Sequence, residues 1–148
     1  MRLTHLFERA TARRRRREER PSSVRRMFSD RVAVPDAEFV QRCGIIANHF
    51  SISLAKLIRD RLAQVGSIPA DRILPEDSLG QPMSYICRWP EFEATVPLKD
   101  FERQLNVSAS PERLERIPDP TSRRGSVGEL FFNLYKAYSE GQRDPGKR

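Results

Sequence analysis

Phe101-Glu102-Arg103-Gln104-Leu105-Asn106-Val107-Ser108, then Ser110-Pro111-Glu112-Arg113-Leu114-Glu115-Arg116-Ile117, then Gly125-Ser126-Val127-Gly128-Glu129-Leu130: these three runs, inside the stretch Trp89 to Tyr138, decide the fold. Each reads as a helix with its own start or stop signal. Leu98, Phe101 and Leu105 recur at helical spacing, and Asn106 follows as a residue that tolerates the left-handed backbone closing a helix. An interior proline costs about 3 kcal/mol, so this helix is expected to begin near Thr95 with Pro97 in its first turn. Ser110 as N-cap, Pro111 at the first helical position and Glu112 in the first turn open a short second helix that Pro118 and Pro120 close. Ser126 with Glu129 three residues on forms a capping box, and Val127, Leu130, Phe131, Leu134, Tyr135 and Tyr138 make the apolar face behind it.

Upstream, the composition of an ordered domain begins at Val34. Pro35 to Val40 reads as a capped helical turn stopped by Gly44. Ser53 is expected to cap a helix through Val65, with Leu54, Leu57, Ile58, Leu62 and Val65 on one face, Lys56, Arg59, Asp60 and Arg61 on the other, and Gly66 as its end. Ile68 to Gly80 is rich in Pro, Asp and Gly and suits a long loop pinned into the core by Ile68, Ile73 and Leu79. Pro82 to Trp89 is open between a short strand and a packed loop. The fold class expected is all-α, with helices over Ser53 to Val65, Thr95 to Leu105, Pro111 to Ile117 and Val127 to Tyr138. Their core is expected to hold Leu57, Leu62, Phe101, Leu105, Leu114, Leu130 and Leu134.

The 148 residues carry a formal net charge of +7, unevenly placed. Met1 to Arg31 holds eleven arginines against four acids, and the remainder balances sixteen basic against sixteen acidic residues. The expected organisation is therefore a disordered Arg-rich tail over 1–33, a helical domain over 34–140 and a flexible C-terminus over 141–148. Arg13, Arg14, Arg15, Arg16 and Arg17 suit contact with nucleic acid or an anionic surface, because closely spaced guanidinium groups neutralise phosphates and release counterions. The plain alternative is a solubilising tail, since no aromatic residues interleave the arginines to stack on bases. Cys43 and Cys87 lie far apart without CxxC spacing, which argues against a disulfide framework or a zinc site. No apolar run nears the roughly 18 residues of a membrane span, and a cytoplasmic location is expected. His5 and His49 are the only histidines and no glycine-rich phosphate loop occurs, so no catalytic set assembles and an enzyme is not expected.

Helix, long pinned loop, helix, short helix, capped helix resembles the layout of acyl carrier proteins, which are small four-helix bundles. Ile73-Leu74-Pro75-Glu76-Asp77-Ser78-Leu79 is similar to that family's loop phrase, Phe101 to Val107 to the ending of its helix two, and Ser126-Val127-Gly128-Glu129-Leu130 to the opening of its last helix. The resemblance covers Ser53 to Tyr138 and implies an acyl-carrier-protein-like bundle behind the basic tail. It also implies a serine at the head of helix two that receives a phosphopantetheine arm. Counted back from the helix-two ending, that place falls on Glu91, within Pro90-Glu91-Phe92, and a carboxylate has no hydroxyl to attack coenzyme A. Ser78, within Asp77-Ser78-Leu79, lies upstream and is the alternative attachment residue. Carrier domains dock their enzymes through acidic side chains along helix two, and Glu91, Glu93, Asp100 and Glu102 would supply that character. The implied function is a non-catalytic protein-interaction domain that has lost the attachment serine, with no cofactor. The implied partner is a protein, with acyl-transfer or synthase enzymes as candidates, and the alternatives are a working acyl or peptidyl carrier modified at Ser78 and a small basic nucleic-acid-binding protein.

Overall fold

A computed structural model of the chain describes residues 20–87, 98–117 and 125–142, with no side-chain description at 141–142. Among these residues the protein is all-α, with six helices and a single isolated bridge in place of any strand. No helix among them is long and apolar enough to cross a membrane.

The first helix, α1, covers residues 20–29 and lies within the segment expected to be a disordered tail. Val24 and Phe28, one turn apart, explain the difference: Phe28 is fully buried in the core and Val24 packs against it. Arg25 adds a bond from Nε to the Gly66 carbonyl at 3.0 Å. Val34 then pairs its N–H with the Asp71 carbonyl at 2.8 Å. The tail boundary at residue 33 is thus corrected: residues 20–33 belong to the folded body. Arginine content marked the segment as solvated, but a helix with one buried aromatic and guanidinium groups aimed at backbone carbonyls is part of a core. Residues 1–19 of the expected tail and 143–148 of the expected flexible C-terminus lie outside the described residues, while 141–142 continue the last helix.

α2 spans Asp36–Arg42, opened by Pro35, with Asp36 and Glu38 in its first turn complementing the helix dipole. It ends as expected before Gly44, whose φ of 75° favours glycine. α3 spans His49–Gly66 and starts a turn before Ser53, because Asn48 and Ser51 form the reciprocal cap: each backbone N–H donates to the other side chain at 2.9 Å. The left-handed residue closing α3 is Ser67, not Gly66. Gly66 is small for another reason: a Cβ there would stand 3.1 Å from the Ile86 side chain and 3.2 Å from the Cys87 sulfur. Leu54, Ala55, Ile58 and Leu62 form the buried stripe of α3. Arg59, expected on the polar face, is 1% exposed. Its Nε donates to the Ile73 carbonyl at 3.2 Å, its two Nη atoms to Asp36 at 2.7 Å and the Val34 carbonyl at 2.8 Å, and its guanidinium lies 5.0 Å over the Phe39 ring.

After α3 the loop is pinned as its spacing implied, by buried Ile68, Ile73 and Leu79, with a 3-10 turn at Ala70–Arg72. The undecided segment is a packed loop over residues 82–87, a 3-10 turn at Met83–Tyr85 that buries Met83, Ile86 and Cys87. α4 spans Leu98–Leu105, buries Phe101 and ends at Asn106 with φ 51°. Its expected beginning at Thr95 and Pro97 lies outside the described residues. α5 spans Pro111–Glu115, capped by the Ser110 hydroxyl accepting the Arg113 N–H at 3.2 Å. α6 spans Val127–Gln142, one turn beyond the expected Tyr138.

α3 is the hub, touching α2, the first 3-10 turn and α6, while α5 leans on α6. Leu62, Phe101, Leu130 and Leu134 are core as expected, whereas Leu57, Leu105 and Leu114 are half-buried around it. The spacing of apolar residues did not single out the aromatic cluster. Phe39 meets Phe131 edge-on at 5.7 Å, and Phe50 lies 5.9 Å from Phe101 and 5.6 Å from Tyr135. Such contacts contribute about 0.5–1.5 kcal/mol each beyond area burial.

If α1 is part of this core, Phe28→Ala leaves a cavity at the site of a fully buried ring. The expected cost is about 3–5 kcal/mol in urea denaturation, against nearly nothing for a residue in a free tail.

Candidate functional site

Asp77-Ser78-Leu79 lies where the pinned loop meets the first residues of α6. The Val127 N–H donates to the Asp77 carbonyl at 2.9 Å and the Leu79 N–H to the Gly125 carbonyl at 3.0 Å, which pairs Ser78 with Ser126 in antiparallel fashion. The Gly128 N–H donates to the Pro75 carbonyl at 2.9 Å. That approach needs a glycine, because a Cβ at position 128 would fall 2.9 Å from the Pro75 Cβ and 3.0 Å from its carbonyl oxygen. The Ser126 hydroxyl accepts the Glu129 N–H at 3.2 Å, the serine half of the expected capping box. Two otherwise unsatisfied N–H groups at the start of α6 are thereby taken by the loop backbone.

Each side chain of the triplet is engaged locally. The Asp77 carboxylate, nearly fully buried, accepts the Leu74 N–H at 2.7 Å and Arg31 Nη1 at 2.8 Å. The half-buried Ser78 hydroxyl accepts the Gly80 N–H at 3.1 Å, and Leu79 is core. Arg31 also donates to the Arg72 carbonyl at 3.2 Å and lies 4.3 Å over the Phe28 ring. Arg72 returns bonds to the carbonyls of Ser29, at 3.1 Å, and Arg31. So α1, its following turn and the loop are laced together by arginines, which sequence reasoning had assigned to the tail or left unremarked.

Of the carboxylates expected to form a docking face, Asp100 is exposed and lies 3.7 Å from Arg103. Glu102 instead turns inward and accepts the Tyr138 hydroxyl at 2.9 Å. Burial, and then this carboxylate, raise the Tyr138 pKa. Glu91 and Glu93 lie outside the described residues, as do Arg13 to Arg17.

Three open clefts border these elements. One of about 530 Å³ is lined by Arg42, Cys43, Pro75, Glu76, Glu129 and Phe132, and Phe132 is 44% exposed beside it. A second, of about 510 Å³, runs between α3 and α4 past His49, Lys56 and Asp60. A third, of about 240 Å³, separates α5 from α6. His49 and Cys43 form no ligand set, and no group of three or more His, Cys, Asp or Glu able to hold a metal occurs among the described residues. No protein-family model, curated protein or solved structure matches this chain.

Both cysteines are free thiols. Burial, with Glu76 adding its charge, pushes the Cys43 thiol up to about 11, and burial pushes Cys87 up to about 12 against the opposing pull of Arg25. A raised pKa means less thiolate at any given pH. At about pH 8, alkylation of Cys43 by iodoacetamide should therefore run roughly ten- to a hundredfold slower than that of a free thiol, with Cys87 slower again. Glu76→Gln should quicken Cys43 alone, and free-thiol rates at Cys43 would contradict its half-buried, acidic setting.

Proposed function

We propose that this chain is a non-catalytic protein-interaction module with the layout of an acyl carrier protein and without a phosphopantetheine arm. The observation that carries this reading is the use of Asp77-Ser78-Leu79 as a closure. Its backbone pairs with Gly125 and Val127, its carboxylate holds Arg31 and its leucine is core. This supports taking it as the family's loop phrase, since the described residues that follow Ser78, as far as Cys87, form a turn and a 3-10 turn at Met83–Tyr85 with no α-helix opening among them. The order of long helix, pinned loop, α4, short α5 and capped α6 supports the same layout. Read this way, Ser78 stabilises a turn and carries no cofactor.

The surface best suited to a protein partner is the cleft beside Phe132. An exposed aromatic ring supplies apolar contact area, and the exposed carboxylates of Glu76 and Glu129 line the same depression. Arg42 is drawn toward Glu38 at 2.8 Å and reaches Glu76 at 4.0 Å, so it offsets that charge only in part. The complementary partner offers an apolar side chain flanked by a basic one. The acidic face of α4 is less suited, since Glu102 is held by Tyr138.

Incubation with coenzyme A and a promiscuous phosphopantetheinyl transferase, followed by intact mass measurement, tests the absence of the arm. Wild type and Ser78→Ala should both keep their unmodified mass. A gain in wild type that Ser78→Ala abolishes would make this a working carrier. With a photo-crosslinking phenylalanine analogue at position 132, a defined protein partner should be captured in the native cell and lost on Glu76→Lys with Glu129→Lys. No crosslinked protein at all would end the interaction reading.

A further inference from the structure

The cleft between α5 and α6 lies between one stripe of α6 and the end of α5 with the two residues that follow it. Arg113 lies in α5, Arg116 and Ile117 follow its last residue, Glu115, and Asn133, Lys136, Ala137 and Glu140 recur at helical spacing along α6. Among the described residues, three cations line a space of about 240 Å³ and Glu140 is the one carboxylate, an excess of two positive charges among them. Among ion pairs between described residues, none involves Arg113, Arg116 or Lys136. Elsewhere Arg25, Arg31, Arg42, Arg59, Arg72 and Arg103 are all engaged by carbonyls or carboxylates.

We propose that this cleft binds a phosphate monoester dianion. A phosphoryl group carries a charge of about −1.5 to −2 near neutrality, which matches the excess in the cleft, and it presents three acceptor oxygens. Guanidinium forks bind such oxygens two at a time, Lys136 supplies a point charge, and the Asn133 amide adds a neutral donor. Ile117 and the buried Ala137 offer an apolar surface for the carbon that bears the ester oxygen. The volume lies below the roughly 300 Å³ at which pockets for larger ligands begin, so one phosphoryl group is the natural occupant. A phosphodiester carries a single charge and would leave the cleft under-neutralised. The site stands whether or not Ser78 is ever modified.

The full chain, labelled with nitrogen-15, is titrated with inorganic phosphate, O-phosphoserine and dimethyl phosphate at constant ionic strength. Phosphate and phosphoserine should give saturable shifts at the Asn133 side-chain amide and the Lys136 and Ala137 backbone, and dimethyl phosphate should not. Tighter binding of phosphoserine identifies a phosphorylated molecule as the natural occupant, and equal binding identifies the free ion; either upholds the site. Affinity should fall between about pH 7.5 and about pH 5, because the second phosphate proton is taken up near pH ~6. Arg113→Gln with Lys136→Gln, both surface positions of a spectrum otherwise unchanged, should weaken binding about tenfold or more, the loss of at least one charge-assisted bond. Non-saturable shifts, equal shifts with dimethyl phosphate, or an unaltered affinity in the double variant would each overturn the proposal.

Discussion

The Arg59 guanidinium is the constraint on which the rest of the fold depends. An ionised group 1% exposed is tolerated only when its donors are met, and here the Ile73 carbonyl, the Val34 carbonyl and the Asp36 carboxylate meet them. Those three partners come from the segment entering α2, from α2 itself and from the loop after α3. One side chain therefore sets the distance between α3 and two pieces of chain that lack regular hydrogen-bonded structure of their own. The Phe39 ring beneath it carries the same registration into the aromatic cluster with Phe131, and so to α6. Losing one partner of such a buried pair costs about 3–5 kcal/mol, a large share of a small domain's stability.

Arginine recurs in this role. Arg25 meets the last carbonyl of α3, Arg31 reaches Asp77 and the Arg72 carbonyl, and Arg72 answers with carbonyls beside α1. Helix ends and irregular loops leave carbonyls without partners, and a guanidinium with five donors can serve several at once. The basic excess near the N-terminus is thus partly structural. Part of what composition assigns to an electrostatic arm holds a helix against a loop.

This explains what the sequence could and could not disclose. Asn106, Ser110 with Pro111, and Ser126 were legible because each acts on backbone within a few residues, and the apolar stripe of α6 because its residues recur at helical spacing among polar ones. The pinned loop was legible for the same reason: Ile68, Ile73 and Leu79 are apolar among polar neighbours. Arg59 was not, since a basic residue beside Lys56, Asp60 and Arg61 looks like any solvated helix face, and its partners lie 14 to 25 residues away. The inward turn of Glu102 was hidden likewise, its partner Tyr138 standing 36 residues on. Gly128 carried no signal of its own in the sequence, and only the approach of Pro75 gives it a reason. Of the candidate site, the triplet at Ser78 was visible as a motif, but its service as a closure depended on Gly125 and Val127 arriving from far along the chain.

That closure makes everything between Gly80 and Gly125 an excursion that leaves and returns to one point. The two ends are held by the bonds from Leu79 to Gly125 and from Val127 to Asp77, and the Gly128 N–H locks the return against Pro75. The excursion is itself anchored on the frame, by Phe101 against Phe50 of α3 and by Glu102, which accepts the Tyr138 hydroxyl of α6, so a change of length inside it leaves the frame in register only where those contacts are spared. The architecture thus closes a long return of chain at a single backbone seam while burying Met83 and Phe101 from that return in the common core.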